Sequence, residues 1–276
     1  MSETQAYAEK AQLPPTYRGK LVLFTSFYKH QAYAGYVHSL AVTLAVLGRL
    51  GVEWDYWPYS GDFHVERSVN KALTKFLASD YTDFVCIDSD ESWNVEGLYR
   101  LITRPVEIIG GAYKMTNKWD EYTVNLKVDA SGVPQGEVMN GEPVLEVERL
   151  PAGFLRVTKP VLRKYQEAYP ERWYWDTEDD GKTPLKVTQF LTTVLRNHQF
   201  FSQDFNFSED LKAIGVKLWL EPNITIGHFG LDEHIGNVDK HLREIHAKQQ
   251  AETARQKQQS EAMANIEAFA KTRSAA

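Results

Sequence analysis

Cysteine, long apolar runs and an excess of positive charge are what this sequence most plainly lacks. It has a single cysteine, Cys86, so an intramolecular disulfide is impossible and nothing requires an oxidising compartment. No apolar run approaches the roughly 20 residues that span a bilayer. The polar first residues lack the basic and apolar regions of a signal peptide. These absences favour a soluble, cytoplasmic protein.

Charge and composition narrow the class further. The net charge is −6 with both signs mixed along the chain, which does not indicate a broad cationic surface for nucleic acid, although it is compatible with a local basic patch. The hydrophobic content of 43% and aromatic content of 12% are enough for a sizeable core and exclude a disordered chain. At 276 residues, length alone allows one large domain or two small ones.

Short apolar runs alternate with segments of helical periodicity in the first part of the sequence. Strands that are connected through helices imply crossover connections, so we predict an α/β fold with a mainly parallel sheet and helices on both faces. Ligands of such sheets bind at the carboxyl ends of the strands. The predicted strands are Lys20–Ser26, Val52–Tyr59, Asp83–Asp88 and Val106–Ile109, and the predicted helices are 35–50, 64–78 and 95–102.

The second half of the sequence has a different pattern. Glycines separate short apolar runs between Tyr122 and Val157, which indicates a small antiparallel insertion. Residues 241–272 are rich in Gln, Ala, Lys, Arg and Glu, and we predict that residues 233–276 form a C-terminal helical tail. We therefore predict three segments: a flexible N-terminal arm of residues 1–17, one domain of residues 18–232, and this tail. The other predicted elements are helices at 160–168 and 203–214, strands at 216–220 and 224–228, and a surface loop at 173–184.

Asp88 and Asp90 are separated by one serine directly after the clearest predicted strand. Carboxylate oxygens are hard ligands that suit Mg²⁺, Mn²⁺ or Ca²⁺ better than zinc. An Asp-x-Asp triplet also fits a solvated turn or a helix cap, but a buried strand that delivers two acids to one place favours a cation site. A cation there would stabilise the charge that develops on a diphosphate leaving group.

The segment Phe84–Trp93 (FVCIDSDESW) resembles the Asp-x-Asp segment of GT-A glycosyltransferases, especially short bacterial and phage enzymes near family 2. The resemblance covers about residues 20–230. It implies a GT-A, Rossmann-like fold and the transfer of a sugar from a nucleotide-sugar donor, with a UDP-sugar as the first expectation. The other similar segments are SLAVTL at 39–44, NKALTKFL at 70–77, IIGGAY at 108–113, LPAGFL at 150–155, SQDFNF at 202–207, GVKLWLEP at 215–222 and GHFG at 227–230.

The resemblance implies a metal site and a catalytic base. Asp88, Asp90 and His228 would hold Mn²⁺ or Mg²⁺, and Ser89 would contact the donor between the two acids. Asp204 matches the acid that removes the proton from the acceptor hydroxyl in inverting members. The family more often has Glu-Asp at this place, whereas a glutamine precedes the aspartate here. A structural imidazole at His228 and a first-turn helix acid at Asp204 are the alternative interpretations.

Six further residues are candidates for the donor site, because they match segments of the resemblance or follow predicted strands. They are Thr25, Ser26, Arg67, Asn70, Gly110 and Gly111. The two hydroxyl groups would contact the base or ribose of the donor. The arginine and asparagine would contact its base or diphosphate, and the two glycines would leave room for its sugar ring. The simpler alternatives are strand-end hydroxyls, a salt-bridged arginine and close packing at the glycines. Similar enzymes often place arginine directly before the asparagine, where this chain has valine.

The acceptor is less constrained by the sequence. The cluster Trp173-Tyr174-Trp175 either stacks on a sugar or base, or belongs to the core. A glycan or small glycoside is the first expectation for the acceptor. The alternatives are a 5-hydroxymethylpyrimidine in phage DNA as the acceptor, or a protein that binds a sugar nucleotide without catalysis.

Two other enzyme classes are disfavoured. Asp-x-Asp phosphatases carry their motif after the first strand, and nucleotidyltransferases need a glycine-rich loop, which residues 27–32 lack. The helical tail is compatible with a homo-oligomer.

Overall fold

The computed structural model describes residues 17–62, 64–115, 121–230 and 233–274. One compact unit ends at Asn237, and a second begins at Val238. The predicted N-terminal arm, 1–17, lies outside the described residues except for Tyr17. The hydroxyl of Tyr17 donates a hydrogen bond to Asp83 at 2.7 Å, so the chain is already attached to the domain at this residue.

Strands and helices alternate in the first part of the first unit, as the periodicity of the sequence predicts, and a run of strands follows. The strands are β1 Lys20–Phe27, β2 Glu53–Ser60, β3 Asp83–Ile87, β4 Glu91–Trp93, β5 Ile108–Gly110, β6 Asn125–Leu126, β7 Gly136–Met139, β8 Glu142–Arg149, β9 Phe154–Thr158, β10 Trp173–Thr177, β11 Pro184–Thr188, β12 Val194–Arg196, β13 Gln199–Phe201, β14 Leu218–Leu220, β15 Thr225–Phe229 and β16 Glu233–Asn237. The helices are α1 Ala34–Arg49, α2 Val65–Ala78, α3 Val95–Thr103, α4 Lys159–Ala168, α5 Gln203–Ala213 and α6 Val238–Ser274.

The central sheet has nine strands within the described residues, in the order β2-β1-β3-β9-β5-β14-β8-β6, with β7 also paired to β8. The pairs β1–β2, β1–β3 and β5–β14 are parallel. Only β9 and β8 run against the other described strands of this sheet. The mainly parallel sheet that the sequence predicts is therefore confirmed, and β6 to β8 form the predicted antiparallel insertion.

Helices cover both faces of this sheet. Leu21 and Leu23 of β1 belong to one buried cluster with residues of α1 and α3. Phe24 points to the other face, where it stacks on Phe84 with ring centroids 5.3 Å apart, and Phe84 contacts Phe76 of α2. A strand that is buried on both faces needs such apolar residues at every position. The predicted α/β class, with helices on both faces of a mainly parallel sheet, is thereby confirmed.

Two hairpins and a small sheet complete the described part of the first unit. β10 pairs with β11, β12 with β13, and β15 lies between β16 and β4. The surface loop predicted for 173–184 is wrong, because both of its ends are strands. Only the acidic turn between them is a loop, in which Asp180 accepts hydrogen bonds from the backbone N–H groups of Lys182 and Thr183 at 2.8 and 2.9 Å. Gly181 within this turn has a φ of 65°.

The tail predicted for 233–276 is helical only from Val238, because Glu233–Asn237 pair with β15 as the strand β16 of the first unit. The second unit is the single helix α6, Val238–Ser274. Its side chains from Arg243 to Lys257 are all exposed, in agreement with a composition that cannot form a core. Across the described ranges, no helix combines the length and the apolar character that crossing a bilayer requires.

Candidate functional site

The loop 88–90 leaves the carboxyl end of β3 and is held by the backbone at each of its three residues. The N–H of Asp88 donates to the carbonyl of Gly153 at 2.8 Å, the carbonyl of Ser89 accepts from Tyr33 at 3.2 Å, and the carbonyl of Asp90 accepts from Phe229 at 2.8 Å. The rings of Tyr33 and Phe229 stack on each other with centroids 5.1 Å apart. Segments before β3 and after it in the chain therefore fix the positions of the two acids.

His228 lies beside Asp90, and its ring orientation is determined by the backbone. Its Nε2 is 3.7 Å from Oδ2 of Asp90. Its Nδ1 is 3.1 Å from the carbonyl oxygen of Lys114. A carbonyl oxygen can only accept, so Nδ1 carries the proton and Nε2 points toward Asp90. The nearby carboxylate of Asp90 raises the pKa of His228, although burial opposes this shift.

Asp88 lies deeper than Asp90 and is surrounded by other acids. Burial raises the pKa of Asp88 to about 7, and the negative charges of Asp90 and Asp204 add to this effect, whereas His228 opposes it. The residues predicted as metal ligands and as base thus contribute to one electrostatic environment, at the carboxyl end of β3.

Asp204 lies in the first turn of α5, where a negative charge is favoured by the helix dipole. Its Oδ1 accepts a hydrogen bond from the hydroxyl of Ser202. The same oxygen accepts a second hydrogen bond from the backbone N–H of the next residue, Phe205, at 2.9 Å. Within the described part of the chain, Oδ2 makes no hydrogen bond. One oxygen therefore fixes the side chain, and the other is free to accept a proton or a hydrogen bond from a ligand.

Glu91 is a component of this site that the sequence interpretation missed. It is the first residue of β4 and lies directly opposite His228 in the pairing of β4 with β15. Its side chain is fully buried, and neither of its carboxylate oxygens has a hydrogen-bond partner. Burial raises the pKa of Glu91 well above its usual range, and Asp88 and Asp90 raise it further. The only signal in the sequence was its position directly after the Asp-x-Asp triplet.

A divalent cation fits the donor set of this loop. Two ligands at about 2.1 Å from one Mg²⁺-like ion can be at most about 4.2 Å apart, and the 3.7 Å between Asp90 and His228 lies within that limit. An imidazole that donates its other N–H to a backbone carbonyl is the usual arrangement of a metal-binding histidine. No three His, Cys, Asp or Glu side chains of the described residues already converge as a complete ligand set.

Thr25 and Ser26 lie at the end of β1 and are both buried. The hydroxyl of Thr25 is 2.6 Å from that of Tyr36, which is 3.0 Å from that of Tyr56. Thr25 is thus part of an internal chain of hydroxyl groups that connects β1, α1 and β2. Its direct contact with a nucleotide remains a prediction.

Arg67 and Asn70 of α2 bind other parts of the protein rather than the loop 88–90. Nε and Nη2 of Arg67 donate to the two carboxylate oxygens of Asp176 at 2.9 and 2.8 Å, which attaches the β10–β11 hairpin to α2. The side chain of Asn70 is buried and bonds both the N–H and the carbonyl of Leu191, at 2.7 and 2.8 Å. Arg67 also lines an open cleft of about 660 Å³ between the end of β2, the start of α2 and this hairpin.

Gly110 and Gly111 are sites of close packing at the end of β5. A Cβ at Gly110 would be 3.0 Å from Leu150 and 3.2 Å from the carbonyl oxygen of Phe154. A Cβ at Gly111 would be 2.7 Å from Ile226. Both glycines therefore let neighbouring strands approach each other, whether or not a sugar ring also lies near them.

The tryptophans of the 173–175 cluster are exposed. Trp173 and Trp175 are 41% and 65% exposed on one face of β10, whereas Tyr174 between them faces the protein. Lys186 of β11 lies over the ring of Trp173, with Nζ 4.3 Å from its centroid. The two tryptophans therefore belong to the surface and not to the core. The β10–β11 hairpin that carries them is connected to α2 through Asp176.

Comparisons with known proteins show similarity to solved structures at low sequence identity. No protein-family model matches the sequence, and a search of curated proteins found no match. Among the solved structures that match, A197 from STIV is 14% identical with a TM-score of 0.45, over 76% of this chain and 86% of that chain. GalNAc-T7, crystallised with UDP, GalNAc and Mn²⁺, is 10% identical with a TM-score of 0.44, over 76% of this chain and 44% of that chain. A glycosyltransferase involved in the glycosylation of the major capsid of PBCV-1 is 11% identical with a TM-score of 0.26, over 55% and 67% of the two chains.

Proposed function

We propose that this protein is a metal-dependent glycosyltransferase, which transfers a sugar from a nucleotide donor, with a UDP-sugar as first choice, to the hydroxyl group of a glycan or small glycoside. The observation that carries the proposal is the arrangement at the end of β3. Asp90 and His228 lie 3.7 Å apart, and the carbonyl of Lys114 directs Nε2 of the histidine toward the acid. Asp88 lies beside them, with a pKa raised by burial among acids.

Asp88, Asp90 and His228 would hold Mn²⁺ or Mg²⁺. When bound, such an ion neutralises the negative charge that develops on a diphosphate leaving group. The protein's own contribution is to hold its ligands in place: three backbone hydrogen bonds fix the loop 88–90, and Lys114 fixes the imidazole. Ser89 lies between the two acids and would face the diphosphate of the donor.

Asp204 would act as the general base. Its free Oδ2 would accept the proton of the acceptor hydroxyl while the acceptor oxygen forms a bond to the anomeric carbon of the sugar and the bond from that carbon to the diphosphate breaks. The products are the glycosylated acceptor and the nucleoside diphosphate, with inversion at the anomeric carbon. A carboxylate that is positioned within hydrogen-bond reach of a hydroxyl group typically contributes about 10²–10⁴-fold to such a step.

The test is release of UDP from a panel of UDP-sugars, with Mn²⁺, with Mg²⁺ or with EDTA. We expect slow release that needs the cation, is lost in Asp90→Asn, and falls strongly in Asp204→Asn while donor binding is kept, as measured by the thermal shift that the donor causes. Asp80→Asn is the control, because Asp80 is a surface aspartate with a side chain 73% exposed, and it should behave as the wild type.

The outcomes separate the alternatives. A thermal shift with UDP-sugars but no release of UDP in the presence of any acceptor would indicate a non-catalytic binding protein. Binding to duplex DNA that weakens steeply with salt would favour an acceptor base in DNA, because phosphate contacts release counterions. Release of UDP that is unchanged by EDTA and by Asp90→Asn would refute the metal site.

A further inference from the structure

Glu91 is the only acidic side chain of the described residues that is buried with both oxygens unpartnered. Other buried acids of the first unit have an arginine. Asp83 accepts from Arg156 at 2.7 Å, and Glu221 accepts from Arg104 at 2.6 Å. Burying a charged carboxylate without a counter-charge costs several kcal/mol, so such groups are normally protonated, paired with a cation or bound to a metal.

The space in front of Glu91 is shared with Asp88. A Cβ added to Gly153 would be 2.6 Å from Oε1 of Glu91 and 2.6 Å from Oδ2 of Asp88. The two oxygens therefore face the same small space beside this glycine. Glu91 is also attached to the loop through its backbone, since its N–H donates to the carbonyl of Asp88 at 3.2 Å.

The strand β4 connects this acid to the imidazole of the site. Glu91 pairs with His228 across β4 and β15, and the backbone N–H of Phe229 donates to Asp90. Three acids and one imidazole thus come from the loop 88–90 and two paired strands. The one basic group among the four is the imidazole of His228, which lies beside Asp90, whereas neither carboxylate oxygen of Glu91 has a hydrogen-bond donor.

We propose that Glu91 is a third acid of the cation site, which positions Asp88 and supplies the negative charge that gives the site its affinity for a hard divalent cation such as Mn²⁺. This inference rests on the proposed function, because it assumes that Asp88 and Asp90 bind the cation. The inference extends the proposed function, because it assigns to the cation site a buried residue outside the Asp-x-Asp triplet. The extra acid favours doubly charged ions over K⁺ or Na⁺.

The experiment is a titration of the full-length protein with Mn²⁺, followed by the loss of the electron paramagnetic resonance signal of the free ion. Glu91→Gln has nearly the same shape but no charge, and we expect its Kd for Mn²⁺ to rise at least about tenfold, the size of effect typical for groups that support metal ligands. Glu137→Gln is the matched control, because Glu137 is a surface acid with a side chain 54% exposed, and its Kd should stay at the wild-type value. Far-ultraviolet circular dichroism checks that both variants are folded.

Asp90→Asn in the same titration separates the two proposals. If Asp90→Asn loses Mn²⁺ and Glu91→Gln binds it within twofold of wild type, the role of Glu91 is refuted and the metal site stands. If Asp90→Asn binds as tightly as wild type, the metal site itself is refuted. Should Glu91→Gln not fold, crystals of the wild type soaked in Mn²⁺ decide the question. An anomalous peak in contact with Asp88 and beside the carboxylate of Glu91 supports the proposal, and a peak that contacts Asp90 and His228 but is remote from Glu91 overturns it.

Discussion

Gly153 lies directly against the carboxylate of Asp88. Their backbones share a hydrogen bond of 2.8 Å, and a Cβ on the glycine would be 2.6 Å from Oδ2 of Asp88. Real Cβ atoms do not approach oxygen so closely, so any other residue at this position would displace the acids. The requirement for glycine comes from this close approach, which is one of the standard uses of a residue without a side chain.

Gly153→Ala should therefore raise the Kd for Mn²⁺ and lower the release of UDP, each by at least about tenfold, as expected when supporting groups of a metal site are disturbed. Paramagnetic resonance and a UDP assay would measure both. Gly48→Ala is the control: it lies in α1 with no atom within 4 Å of the added Cβ. This exchange should leave binding unchanged and stabilise the protein by about 0.5–1 kcal/mol. Equal behaviour of the two variants would contradict the role of Gly153.

His228→Ala should weaken Mn²⁺ binding by roughly 10–100-fold, because it removes a nitrogen ligand that the carbonyl of Lys114 has already oriented. Isothermal titration calorimetry would give the affinity. His246→Ala is a matched control, since His246 is exposed on α6. If His228 is only a structural residue, its replacement will lower the stability without changing the affinity for the cation.

The contribution of Asp88 to the stability of the cation-free protein should fall as the pH rises from about 4 to about 7. The pKa of Asp88 is about 7 in the folded protein and 3.8 in its ordinary state, so over this interval the folded chain binds more protons than the unfolded chain. Stability then decreases with pH, with a slope of at most about 1.4 kcal/mol per pH unit for this group. Urea unfolding in EDTA at several pH values would show it, and Asp88→Asn should have a shallower slope. Parallel slopes would exclude Asp88 as the cause.

Asn70→Ala should lower the free energy of unfolding by about 2–4 kcal/mol, because it leaves the buried N–H and carbonyl of Leu191 without partners. Urea unfolding measures this change. The thermal shift caused by UDP-sugars tests the other interpretation of Asn70. Unchanged stability together with a lost donor shift would show that Asn70 contacts the donor directly.

The order of helices and strands could be predicted because each element carries its own periodicity. The helix at Val65–Ala78 and the strand at Asp83–Ile87 fall within a residue of their predicted bounds. The β10–β11 hairpin was interpreted as a loop because its acidic turn dominates the composition of 173–184. Its strands are stabilised by the ion pair of Asp176 with Arg67, a contact between residues far apart in the chain.

The candidate site shows the same contrast between residues that a local pattern predicts and contacts between residues far apart in the chain. Asp88 and Asp90 could be predicted because a buried strand leads directly to them, and His228 and Asp204 entered only through a resemblance. The bonding of Arg67 and Asn70 to Asp176 and Leu191 could not be anticipated. Both partners lie more than 100 residues away, and no local pattern encodes such a pairing.

Short-range periodicity and apolar residues at neighbouring positions are enough to predict the alternation of the first elements, the α/β class and the delivery of two acids to one strand end. Which groups surround those acids depends on the packing of distant segments. The pairing of β4 with β15 buries Glu91 opposite His228, and the approach of Gly153 brings its carboxylate to Asp88. Burial and the absence of a partner are properties of packing, so they arise only when distant segments come together.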